Sequence, residues 1–103
     1  MGFLHVQTYT ISKGKIEEHD ELMKKIMSNT VSKFGKKVRV FHQRYGPIGA
    51  RVIIHEFKDN DELFSFWHKF DDDEEAVNLR SKWNELIDPA SWRALFWIEK
   101  TTE

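Results

Sequence analysis

The sequence has no cysteine. That excludes disulfides, a thiol nucleophile and a thiolate-ligated metal. It also suits a reducing compartment, so a cytoplasmic location is expected. Only two prolines and five glycines occur in 103 residues, with no linker and no low-complexity tract, so a single domain over 1–103 is expected. No apolar run approaches the ~20 residues of a membrane-spanning helix, and no signal-peptide pattern opens the chain. Neither sign of charge dominates: 16 basic and 17 acidic residues leave a net charge of −1. Nucleic-acid binders usually carry a strong basic excess, so neither a nucleic acid nor a membrane is expected as a partner. The short basic run Lys33, Lys36, Lys37 and Arg39 reads as a helix end, where the dipole favours cations. "HDEL" at 19–22 is internal, whereas that address is read only at a C-terminus.

Aromatics, by contrast, are plentiful, with eight Phe, four Trp and two Tyr. They serve cores, interfaces and ligand pockets alike. Residues 3–11 alternate and are β-rich, which predicts a strand, and "SKGK" at 12–15 is a turn. From Ile16 the period changes. Ile16, His19, Met23, Ile26 or Met27, Thr30 and Phe34 form an amphipathic stripe that Gly35 would stop. "VRVFHQRY" (38–45) and "ARVIIHEF" (50–57) read as a hairpin about the turn "GPIG". Asp59 and Glu62 have capping-box spacing for a short helix over 60–70. "DDDEE" (71–75) interrupts it and reads as an acid-rich cap for the next helical stretch, whose stripe carries Ala76, Val77, Arg80 and Trp83. "DPAS" (88–91) breaks that stretch, and 92–99 is the last strand. The order β-α-β-β-α-β predicts an α+β, ferredoxin-like fold, a four-stranded antiparallel sheet with its helices on one face.

The other face of that sheet should be polar if it met water. Instead Val52 and Ile54 lie on one face of the third strand and Ile53 and Phe57 on the other. In the fourth strand Ala94, Phe96 and Ile98 oppose Leu95 and Trp97. Both faces call for burial, and a second copy, sheet against sheet, supplies the missing cover. A homodimer is therefore expected.

"LHVQTYTISKGKIEEHDEL", "RYGPIG" and "DPASW" resemble landmarks of NIPSNAP-like proteins and of antibiotic-biosynthesis-monooxygenase-like domains, over nearly the whole chain. The resemblance implies a dimeric α+β barrel, with a ligand pocket between sheet and helices in several members. In the resembling monooxygenases, the position of Gln7 holds a polar residue that points into that pocket. In NIPSNAP-like chains, the positions of His5 and Gln7 often hold Glu and Arg, and that of Tyr9 holds Tyr. By that analogy His5, Gln7 and Tyr9 line a cavity under the helices. Trp67 matches a pocket Trp of haem-degrading members, but Val77 stands where those carry a haem-ligating His, a departure that argues against haem.

The residues themselves narrow the chemistry. "HVQTY" puts His5, Gln7 and Tyr9 on one face of the first strand, and unpaired buried polar groups cost about 1–3 kcal/mol each. These three therefore pair among themselves or face water or a ligand. "LFSFWHKF" supplies Phe64, Trp67 and His68 within about a helical turn of one another, an opposite wall suited to a planar ligand or simply a core stripe. His5, Tyr9 and His55 are the candidates for proton transfer, since imidazole titrates near neutral pH and a phenol can donate to an oxyanion. No GxSxG elbow, P-loop, HExxH pair or EF-hand loop is present, so no metal and no cofactor is expected. Three readings follow: a small-molecule-binding dimer with cofactor-independent oxygenase-like chemistry, a haem-handling relative, or a non-enzymatic interaction module.

Overall fold

Local chemistry explains where each element starts and stops. The computed structural model describes residues 2–43, 45–46 and 48–100. Its elements are β1 (Phe3–Thr10), α1 (Ile16–Phe34), β2 (Val38–His42), β3 (Ala50–Phe57), α2 (Asn60–Asp71), α3 (Glu74–Asn84), a 3₁₀ turn (Pro89–Ser91) and β4 (Arg93–Ile98). α1 ends where Gly35 takes a left-handed φ of 63° and donates its N–H to the Val31 carbonyl at 3.0 Å. A β-carbon is disfavoured in that backbone region, so the stop needs glycine. α2 starts where the Asp59 carboxylate accepts the Glu62 N–H at 2.9 Å. The acidic run does cap the next helix. Asp73 accepts the Ala76 N–H at 2.9 Å and also receives Lys33 Nζ at 3.0 Å, so one carboxylate joins the end of α1 to the start of α3.

The four strands form one antiparallel sheet in the order β2-β3-β1-β4, which is the expected ferredoxin-like arrangement. The two helical stretches expected on either side of the acidic run are α2 and α3, with the break at Asp72 and Asp73. β2 is also shorter than its predicted span of 38–45. Its ladder closes at His42 opposite Arg51, and Arg44 and Pro47 of the expected strand and turn lie outside the described residues.

Register decides what each sheet face carries. His5 lies between His55 and Phe96, Gln7 between Ile53 and Ala94, and Val6 between Ile54 and Leu95. Side chains alternate across a sheet, so the His5 and Gln7 rows share one face and the Val6 row takes the other. Helices cover the first face in two buried clusters. In one, Tyr9, Val38 and Ile53 pack under Met23 of α1 and Trp83 of α3. In the other, Phe57 packs with Leu63, Phe66 and Phe70 of α2 and with Ala76. No described element covers the opposite face. Leu4, Val6, Val52 and Ile54 are half-buried there, while Phe41, Leu95 and Trp97 are exposed. Among the described residues no helix is long and apolar enough to cross a membrane.

Candidate ligand cavity

The clusters do not fill all the space between sheet and helices. A cavity of about 680 Å³ remains, floored by the row that register brings together: His5 and Gln7 of β1, Ile53 and His55 of β3, Ala94 and Phe96 of β4. Its roof comes from Met23, Ile26 and Thr30 of α1, Trp67 and Phe70 of α2, and Arg80, Trp83 and Asn84 of α3. Trp92, just past the 3₁₀ turn, borders it too. Such a volume lies within the range of small-molecule sites.

Two histidines dominate the floor. His5 stacks on Phe96 at 4.6 Å between ring centroids and meets the edge of Trp67 at 5.4 Å. His55 lies 5.9 Å from His5 and 5.2 Å from Trp67. Both are more than nine-tenths buried, and the Nδ1 atom of each has no hydrogen-bond partner. Burial holds both imidazoles below their ordinary pKa. His55 is pushed down to about 4, chiefly by burial and further by the nearby charges of His5 and Lys36. Both rings are therefore neutral near pH 7. An orphaned buried N–H is rarer than an orphaned acceptor, so Nδ1 is assigned as the bare nitrogen and Nε2 as the N–H.

Gln7 shows a related bias. Its side-chain oxygen accepts the Trp92 indole N–H at 3.0 Å. An indole can only donate, which fixes the amide orientation and leaves the Gln7 NH₂ as its remaining polar group. Thr30 spends its hydroxyl proton on the Ile26 carbonyl at 2.7 Å, the usual back-bond of a helical threonine.

Tyr9, expected in the cavity, is instead packed away from it. Its ring meets Trp83 edge-on at 5.0 Å, and its hydroxyl lies 2.7 Å from His19 Nε2. His19 is fully buried, and its Nδ1 lies 3.0 Å from Asp20 Oδ1. The carboxylate favours a proton on Nδ1, so Nε2 accepts and Tyr9 donates. Burial pushes the phenol up to about 12, out of range for proton transfer near neutral pH. This chain of bonds pins α1 to the sheet.

Phe64 and His68 also depart from expectation. Phe64 is 67% exposed, and His68 faces solvent, 3.6 Å from Asp72. Helical spacing explains both. Leu63, Phe66, Trp67 and Phe70 repeat at three and four residues and turn inward, which puts 64 and 68 together on the outer side. With His68 outside and valine at position 77, α2 and α3 bring no imidazole to the cavity for an axial haem bond.

Sequence reasoning did not single out Arg80, Trp83, Asn84, Trp92 or Phe96 as site residues. Arg80 and Trp83 were already on the α3 stripe at one-turn spacing. For Phe96 the missing information was register, because alternation alone cannot tell which β4 face shares a side with His5.

No protein-family model matches the sequence, and no curated protein matches it. Solved structures do match its shape. A NIPSNAP family protein from Agrobacterium tumefaciens is 21% identical, covering 93% of this chain and 86% of that one at a TM-score of 0.78. A NIPSNAP domain protein from Burkholderia xenovorans is 13% identical, covering 95% and 94% at 0.78. SnoaB from Streptomyces nogalater, a cofactor-independent oxygenase, is 12% identical, covering 98% and 95% at 0.75. The chain thus has the α+β fold shared by NIPSNAP family proteins and SnoaB, across nearly its whole length.

Proposed function

We propose that this chain works as a homodimer in which each copy binds a small, partly apolar organic molecule between its sheet and its helices. One observation carries the reading: two neutral histidines, each with an unpaired buried nitrogen, sit in the wall of a 680 Å³ cavity against Trp67. A side-chain packing role alone would favour filled space and paired nitrogens. The similarity to SnoaB favours a second, narrower reading: an imidazole takes a proton from an activated organic substrate, and the resulting carbanion gives its electrons to molecular oxygen as co-substrate. This forms a C–O bond to a peroxide that takes up a proton and loses water to leave the carbonyl product. His5 and His55 are the groups for the proton abstraction, and Gln7 and Trp67 hold the substrate.

The dimer rests on the uncovered sheet face. At 57% exposure, a Trp97 of up to about 250 Å² leaves on the order of 140 Å² in water, roughly 3.5 kcal/mol per copy at about 25 cal/mol/Å² if buried. Leu95, Phe41, Val6 and Ile54 extend that patch across the sheet. Sedimentation at micromolar concentration should give a dimer for the native chain and a monomer for Trp97→Lys. A native monomer refutes this half of the proposal. For the cavity, the neutral dye phenylnaphthylamine should brighten on binding the native protein, and Ala94→Trp should abolish the gain by filling the floor. An equal gain in that variant counts against the site.

A further inference from the structure

The neutral polar atoms around the cavity are mixed, but the charge of its wall is one-sided. Gln7 has committed its oxygen to Trp92 and keeps only its NH₂. Thr30 has committed its proton within α1 and has only acceptor capacity left. Both histidines are assigned Nε2–H, and their unpaired Nδ1 atoms are acceptors. Among the described residues no Asp or Glu lines the cavity, and Arg80 is the sole charged one that does. The Arg80 guanidinium sits over the Phe70 ring at 5.1 Å and uses one nitrogen on Asp71, at 2.9 Å. Asp71 is itself exposed and outside the cavity wall. A planar guanidinium has five N–H donors, so this contact leaves capacity for a second carboxylate. The apolar part of the wall is aromatic, with Trp67, Trp83, Phe70 and Phe96 around the histidines.

We infer that the cavity selects an aromatic carboxylate, its ring system lying among Trp67, His5 and Phe96 and its carboxylate held by Arg80. This rests on the reading of the cavity as a ligand site and adds the charge of the ligand. A neutral ligand leaves the spare guanidinium N–H groups of Arg80 without a partner in the cavity, a carboxylate supplies one, and that difference sets the preference. Arg80 is then the specificity residue, and Asp71 competes with the ligand for it.

The test compares two probes of the same ring system, naphthoate and neutral naphthylmethanol, by titration calorimetry on the full chain. Naphthoate should bind at least tenfold more tightly. Arg80→Gln should bring naphthoate down to the affinity of the alcohol. Asp71→Asn, a surface change outside the cavity, should tighten naphthoate severalfold by releasing the guanidinium. Equal affinity for the two probes in the native protein overturns the charge preference while leaving the ligand site standing. Weaker naphthoate binding in Asp71→Asn overturns the role of Arg80. Failure of both probes to bind counts against the ligand site itself, and with it this inference.

Discussion

Mild acid should destabilise this protein through His55, by an amount that the site geometry sets. The unfolded chain takes up a proton on this histidine near pH 6.5, while the folded one resists until about pH 4. The folded pKa is the lower of the two, so the neutral ring contributes its full stability above pH 6.5 and loses it as pH falls towards 4. At about 1.4 kcal/mol per pKa unit, the loss is about 2 kcal/mol at pH 5 and about 3 kcal/mol at pH 4. His5 and His19, both held below their ordinary range by burial, add to the loss in the same direction. For a domain of this size, 2 kcal/mol corresponds to roughly 8–16 °C in Tm. The assay is thermal melting by circular dichroism between pH 7.5 and pH 5, at one protein concentration. His55→Phe is the control, because the ring sits among Phe57, Phe66 and Trp67. It should remove about 2 kcal/mol of the acid loss and leave the part due to His5 and His19. An equally steep fall in the variant would refute the claim that His55 is buried and neutral.

Other perturbations separate the cavity from its supports. Tyr9→Phe should cost about 1–3 kcal/mol by chemical denaturation, since it leaves His19 Nε2 buried without its 2.7 Å partner. It should not change the dye's affinity, because Tyr9 lies outside the cavity; a large change would place it in the site. Asp73→Ala should cost about 1–2 kcal/mol in the same assay, as it removes the α3 cap, with little added by the exposed Lys33 pair. A loss of under a few tenths would show that the cap contributes nothing.

Much of this architecture is legible in local pattern. The alternation of residues 3–10, the stripe from Ile16 to Phe34 and the glycine that ends it need no tertiary information. The same holds for the face shared by His5 and Gln7, because strand period alone assigns it. Tyr9 shares that face too, yet the sequence cannot show how far along the strand the cavity runs, or that His19 waits one helix turn into α1 to take its hydroxyl. Phe64 and His68 mislead for a different reason. In "LFSFWHKF" nearly every position is aromatic or amphipathic, so composition hides the helical phase. Only packing against Phe57 and His55 chooses the side occupied by Phe66 and Trp67. Trp92 and Phe96 depend on the β1–β4 register, a pairing between chain ends that no local signal reports.

The distribution of tryptophan allows a direct test of the central claim. Of the four indoles, Trp67, Trp83 and Trp92 border the cavity, whereas Trp97 lies on the opposite face of the sheet. Titrating naphthylmethanol into ¹⁵N-labelled protein and following the four indole N–H resonances reports where the probe goes. Movement of the three cavity resonances with Trp97 unmoved is the predicted result. Movement of Trp97 alone, or of none of the four, would contradict a ligand site between sheet and helices.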